Sequence, residues 1–219
     1  MDSIIPENPY IHKHLFRMTH IDNLRINLKV GLYAPNARRY PEYINIGDET
    51  LIEQRGVFTL PVAPGGVLGD YVPFYFGGCS PMLLNIKTGH RGIKQRDQRE
   101  IVYLCSHIDM IAQACPEYCF TDGHAKDRLT AFYNQLSDLD KIDWRAVDLK
   151  YWASTEDEPD NMRKKQAEFL VKTHVPLSCL SGIIVLDDIA AEAVNIIREE
   201  TGCELPVHID YKRKYYYND

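Results

Sequence analysis

The sequence lacks the signatures of the commonest nucleotide-using and hydrolytic enzymes. It has no G-x-G-x-x-G after a strand-like run and no G-x-x-x-x-G-K-[ST], so neither a Rossmann turn nor a P-loop is available to cradle phosphates. G-x-S-x-G is also absent, which argues against an α/β-hydrolase elbow. No apolar run approaches the roughly 18 residues that a membrane span requires. The N-terminal "MDSIIPENPYIHKHLF" lacks the charged start and apolar centre of a signal peptide, so the cytoplasm is the expected location. Six cysteines (Cys79, Cys105, Cys115, Cys119, Cys179, Cys203) show no C-x-x-C rhythm. Cys115 and Cys119 could offer two zinc ligands, but no second pair follows at finger spacing. Reduced structural thiols and no metal are expected.

What is present suits one globular domain. The chain has 219 residues, 45% of them hydrophobic, enough for a full core, and no repeat or linker divides residues 1–219. The net charge of −6 gives no global sign of nucleic-acid binding. Charge is uneven, however. "KTGHRGIKQRDQR" carries Lys87, Arg91, Lys94, Arg96 and Arg99 against Asp97 alone, which serves either as a local phosphate stripe or simply as a solvated loop.

Periodicity and punctuation predict an α+β fold without βαβ rhythm. "THIDNLRINLKVGL" reads as a helix capped by Thr19 or Asp22 and stopped by Gly31, and "GDETLIEQRG" as a short helix capped by Asp48. "SPMLLNI", "EIVYLCS", "YCFTDG", "AEFLV", "GIIVL" and "PVHIDYKRKYYY" read as strands, with "YVPFYF" as an aromatic one. "MIAQAC" and "IAAEAVNIIREE" read as helices. "AKDRLTAFYNQLSDLDKI" is amphipathic, with Leu129, Phe132, Tyr133 and Leu136 on one face. "STEDEPDN" is an acidic break.

One oddity stands out: Glu168 lies inside the apolar strand "AEFLV". A buried ion costs several kcal/mol unless it is paired or shifted. On general grounds such a residue is an edge or salt-bridged glutamate.

Five stretches, "RMTHIDNL", "GDYVPFYFGGCSPML", "CFTDGHA", "LDKIDW" and "KQAEFLV", together resemble the DarT family. The likeness runs in order from about Phe16 to the C-terminus and looks more like the thymidine-modifying branch than the guanosine-modifying one. It implies a toxin that uses NAD to ADP-ribosylate bases in single-stranded DNA, reversed by a macrodomain antitoxin of the DarG kind. The implied fold is an ADP-ribosyltransferase-like split β-sheet core with flanking helices. The implied co-substrate is NAD, which would bind in a cleft between two small sheets.

The resemblance also implies roles. Breaking the nicotinamide–ribose bond develops positive charge on the sugar, as in glycoside chemistry, and a carboxylate fixed on a strand stabilises it without reorganisation. Glu168 would be that group. Arg55 in "LIEQRGVF" would hold the pyrophosphate or polarise the base; otherwise it is a surface arginine at a helix C-terminus. His20, with Thr19, Asn23 and Leu24, would contact NAD. Tyr71, Phe74, Tyr75 and Phe76 supply faces for nicotinamide, at least two of them being core, while Ser80, Pro81 and Met82 line the cleft. Asp122 and His124 would meet the target base or ribose. Lys87, Arg91, Lys94 and Arg96, helped by Arg38, Arg39, Lys164 and Lys165, would follow the DNA phosphates. The loop from Tyr151 and Trp152 to Asn161 would recognise the target.

Two alternatives remain open at this level. The same fold could modify protein or hydrolyse NAD, which labelled NAD with either acceptor distinguishes. A non-catalytic nucleic-acid-binding module would bind oligonucleotides without consuming NAD.

Overall fold

The computed structural model describes residues 8–218. Among these residues are ten strands and seven α-helices, beginning with β1 (His14–His20), α1 (Leu24–Val30), β2 (Leu32–Tyr33), α2 (Glu49–Val57), β3 (Tyr71–Tyr75) and α3 (Pro81–Thr88). β4 (Ile101–His107), α4 (Ile108–Ala114), β5 (Tyr118–Thr121), β6 (Phe132–Tyr133), α5 (Trp144–Asp148) and α6 (Asn161–Lys164) come next. β7 (Glu168–Lys172), β8 (His174–Val175), β9 (Gly182–Val185), α7 (Asp188–Thr201) and β10 (Val207–Ile209) complete the chain. One eight-stranded sheet runs β10-β9-β4-β1-β3-β7-β5-β6, and β2 pairs with β8 beside it.

The sheet is split at its centre. β1 pairs with β4 along its full length, and β3 with β7 along theirs, whereas β1 and β3 share only the pair Phe16↔Tyr75. All contacts in the large sheet are antiparallel except β9 with β10. That last pair, joined by α7, is a single βαβ unit, where the sequence predicts none.

Register assigns the faces, because partners across a ladder share one. Tyr75↔Glu168 and Phe16↔Tyr75 place Glu168, Tyr75 and Phe16 together. Phe74↔Phe169 and Val72↔Val171 point the other way, into the main core with Leu24 and Phe76.

Several elements differ from expectation for identifiable reasons. The helix expected from Thr19 begins later, because Thr19 is the penultimate residue of β1 and the His20 ring, not Asp22, accepts the N–H that caps the following turn. "SPMLLNI" is helix α3, not a strand. Ser80 accepts the Leu83 N–H, Pro81 occupies the first turn, and Gly89 adopts the left-handed closing conformation. The 125–142 stretch is a turn, the short β6 and a 3₁₀ segment rather than one helix, and Leu129 is 77% exposed. The last strand is only three residues long. Beyond it, Asp210 accepts backbone N–H groups from Lys214, Tyr215 and Tyr216, folding the tail back over the sheet.

Candidate active site

Glu168 opens β7 and is 2% exposed. Its carboxylate is clasped by Arg55, with Nη1 donating to Oε1 at 3.0 Å and Nη2 to Oε2 at 2.9 Å. Oε1 also accepts the Ala125 N–H at 3.3 Å. Burial pushes the Glu168 carboxyl up, but the charge and hydrogen bonds of Arg55 outweigh it, with help from His124 and Ala125, and hold it below the ordinary range. Burial likewise acts to lower Arg55, and Glu168 overrides it and holds the guanidinium charged. The pair is a fixed anion and a fixed cation in a dry setting.

Local sequence explains the placement. The Glu168 N–H donates to Thr121 Oγ1 at 3.0 Å, and that hydroxyl donates to the Gly123 carbonyl at 2.7 Å, binding β7 to the turn after β5. Arg55 lies in the last turn of α2, whose N-cap Asp48 accepts the Leu51 N–H as expected. Gly69 lets α2 sit down on the preceding turn of β3: a Cβ there would come within 2.9 Å of the Gly56 Cα.

Tyr75 and His124 complete the centre. Desolvation first, then the Glu168 charge, raises the Tyr75 phenol, so it stays a neutral donor; its hydroxyl approaches Met82 Sδ at 3.7 Å. His124 Nδ1 accepts the Lys126 N–H at 3.3 Å. Burial lowers the His124 pKa against the pull of Glu168, which favours a neutral ring carrying its proton on Nε2. Exposed Arg91 lies within electrostatic reach of that ring.

His20 is 5% exposed and sits four residues beyond Phe16 on the same face of β1. Its Nε2 faces Glu100 Oε2 at 3.2 Å, and Nδ1 accepts the Asp22 N–H. From Phe16 toward His20, β1 and β3 share no further pair, so the two halves of the sheet separate on the side where His20 lies.

Other expected contacts are internal. Leu24, Phe74 and Phe76 are core residues, and Phe76 packs edge-on against Trp144 and Phe169. Tyr71 is in a separate apolar cluster, with its hydroxyl on the Gly65 carbonyl at 2.6 Å. Thr19 points to the opposite face and holds Tyr43 and Asn23, while Asn23 exchanges two hydrogen bonds with the Ile44 backbone. These two residues fasten the 33–46 loop. Ser80 is fully buried as a helix cap.

On the proposed DNA side, Asp122 is bound to Arg163 at 2.8 Å and cannot turn to a base without breaking that ion pair. Arg163 also holds Asp160 and lies over Gly123, joining the acidic loop to the turn that supports Glu168. Neither Arg163 nor Thr121 is among the residues expected from the sequence, although "FTDGHA" contains the latter. Lys87 donates to the Asn218 carbonyl, Arg96 pairs with Glu100, Lys164 with Asp143, and Lys165 is buried with its ammonium on the Val147 carbonyl at 2.6 Å. The Arg38 guanidinium lies over the rings of Tyr33 and Tyr40. Arg91 and Lys94 remain exposed. Tyr151 is 79% exposed, whereas the Trp152 indole donates to Tyr217. Cys115 and Cys119 are buried free thiols.

A split, mostly antiparallel sheet with a strand-borne carboxylate clasped by arginine beside the split fits an ADP-ribosyltransferase. The family model described as "ssDNA thymidine ADP-ribosyltransferase, DarT" matches residues 16–217, and the chain belongs to that family. A DNA ADP-ribosyl transferase of Escherichia coli O127:H6 (strain E2348/69 / EPEC) is 42% identical over 171 residues, 78% of each protein. The structure of Thermus sp. 2.9 DarT in complex with ADP-ribosylated ssDNA is similar, with a TM-score of 0.85 and 34% identity over 94% of this chain and 96% of that one. The same protein in complex with NAD+ gives a TM-score of 0.83 at 34% identity, covering 96% and 100%.

Proposed function

We propose that this chain transfers ADP-ribose from NAD to a thymine in single-stranded DNA, releasing nicotinamide, through one domain that carries the whole reaction. The observation that carries the mechanism is the buried, ionised Glu168 held beside Tyr75 by Arg55.

NAD is the substrate the crevice fits. His20 lies four residues from the Phe16 level of the sheet, on the order of 13 Å at strand rise, a span a dinucleotide bridges. Glu168 Oε2 accepts only from Arg55 among the described residues, leaving lone-pair capacity toward a ribose hydroxyl. A carboxylate there stabilises positive charge on the sugar as nicotinamide departs, and does so in place before the reaction begins. The thymine ring N–H is weakly acidic, so its proton must be drawn off as the new C–N bond forms. Glu168 accepts it, with Arg55 polarising the adjacent carbonyl of the base. Neutral Tyr75 and His124 donate without competing for that proton. Arg91 and Lys94 meet phosphates, and Tyr151 offers an exposed ring for stacking. A macrodomain antitoxin of the DarG kind that removes the adduct is the partner this activity calls for, and the cytoplasm is where the enzyme would meet both.

Mass spectrometry of a mixed-base oligonucleotide after incubation with NAD tests the reading: one ADP-ribose adduct on thymidine is expected. Glu168→Gln should lower the rate by about 10²–10³ with NAD affinity retained. Adducts on protein but not DNA, or full activity in the variant, would contradict it.

A further inference from the structure

We propose that the cavity at the opposite end of β1 is a second phosphate site, which holds the DNA strand a few nucleotides from the base being modified. The inference rests on the acceptor being single-stranded DNA.

The cavity has a volume of about 540 Å³ and lies between β1, β4, β9, β10 and the folded-back tail. His14, His107, His208, Lys212 and Lys214 all line it. The Tyr215 ring lines it too, tilted at 48° with its centroid 5.1 Å from that of Phe16, which shares the sheet face of Glu168. Asp210 is the only carboxylate among the lining residues, and it is buried and occupied by three backbone N–H groups. The exposed rim is therefore basic in a chain of net charge −6. The ring centroids of His14 and His107 stand 4.3 Å apart with the planes tilted at 47°, two bases side by side. Burial, then His107, Lys214 and Lys13, lower the His14 pKa, and an anion between these groups would relieve all three repulsions. Among the described residues no group of three His, Cys, Asp or Glu is placed to hold a metal ion. Phosphate oxygens are the remaining chemistry that two imidazoles and two ammonium groups share.

Position makes the phosphate part of the acceptor strand. His14 and His107 face each other across the ladder and share the face of Phe16, Tyr75 and Glu168. Two strand spacings and two residues of rise put His14 roughly 12 Å from Glu168. The NAD crevice opens from Phe16 toward His20, and the cavity lies in the opposite direction. An acceptor strand entering against the departing nicotinamide reaches it without crossing the dinucleotide.

The test uses the full chain with two oligonucleotides bearing the same target, about four and about twelve nucleotides long. The wild type should show a KM for the long substrate roughly tenfold below that for the short one. The double variant Lys212→Glu/Lys214→Glu alters exposed side chains, and should raise KM for the long substrate to near the short one's value. Its kcat, and its kinetics on the short substrate, should be unchanged. Equal effects on both lengths, or no effect on either, would overturn the proposal. No thymidine adduct from wild type on either substrate would instead overturn the activity itself. Imidazole NMR resonances of His14 and His107 identify the source of the phosphate. A thymine-free strand should shift them at concentrations where inorganic phosphate and dTMP do not; equal shifts from the free anions would mean a small-molecule site and overturn the strand assignment.

Discussion

Two residues show how the protein manages buried charge. Glu168 is neutralised by a partner and stays ionised, which its proposed role requires. Lys165, three positions earlier and 2% exposed, has no carboxylate partner among the described residues and rests on the Val147 carbonyl. Burial lowers its pKa to about 8, against weaker upward pulls from Cys79 and Asp148. An unfolded lysine titrates near 10.4. Between those values the folded chain has shed a proton that the unfolded chain keeps, so stability rises with pH from about 8 to about 10. Below about 8 both states are charged and the cost of the buried ammonium is present in full. Lys165→Met should therefore remove the alkaline gain. Denaturant midpoints at pH 7 and pH 10 measure this: the wild type should gain on the variant between them, and parallel shifts would mean that Lys165 keeps its proton. Lys165 is expected on DNA phosphates from the sequence because adjacent basic residues look alike in a string. Which of them turns inward depends on the 146–148 backbone brought over from α5.

Among the α-helices of the described residues, α2 is the one without a buried residue. It stays against the sheet through the Arg55–Glu168 clasp and the close approach of Gly56 to Gly69. Glu168→Gln leaves a neutral amide for Arg55, so amide exchange should accelerate in residues 49–57 while β3 and β7 remain protected. Mass-resolved hydrogen exchange checks this, and uniform acceleration would point to global destabilisation instead. The helix itself was legible, since Asp48 is a clear cap and Gly56 falls near its end. So were β4, β7, β9 and α7, where apolar runs have clear boundaries. α3 was misread because its apolar run is short enough for either state; Ser80-Pro81 and Gly89 were the deciding punctuation. The 125–142 segment had helical periodicity but no helix, because Arg163 and the β5–β6 pairing occupy its first half. The crevice is a matter of long-range register, Phe16↔Tyr75, which no local pattern contains. Glu168 stands out in the sequence as a carboxylate in need of an ion-pair partner, and Arg55 is that partner, but the roles proposed for Glu168, Arg55 and Tyr75 come only through the family resemblance. Phe74 and Phe76 lie in the core, in keeping with the expectation that at least two of the four aromatics do, because strand alternation, once the register is known, sends both to that face.

At the scale of the whole molecule, a chain of net charge −6 faces a polyanion. Its mean field repels DNA, so attraction must come from the few basic groups not consumed internally. Lys87, Arg96, Lys164 and Lys165 have partners within the fold. Arg91 and Lys94 are exposed, and Arg91 is within reach of His124 at the active site. Each phosphate neutralised on a single strand releases counterions and contributes about −0.7 to the slope of log affinity against log salt. Arg91→Gln/Lys94→Gln should thus flatten that slope by about 1.4 if both groups sit on phosphates. The loss should be the same for every flanking sequence, because phosphates carry no base identity, and kcat at saturating DNA should not change. KM for an oligonucleotide measured from about 50 to 200 mM salt gives the slope directly. An unaltered slope would take the 87–99 stretch off the DNA path and leave the Lys212–Lys214 cavity as the main source of salt dependence.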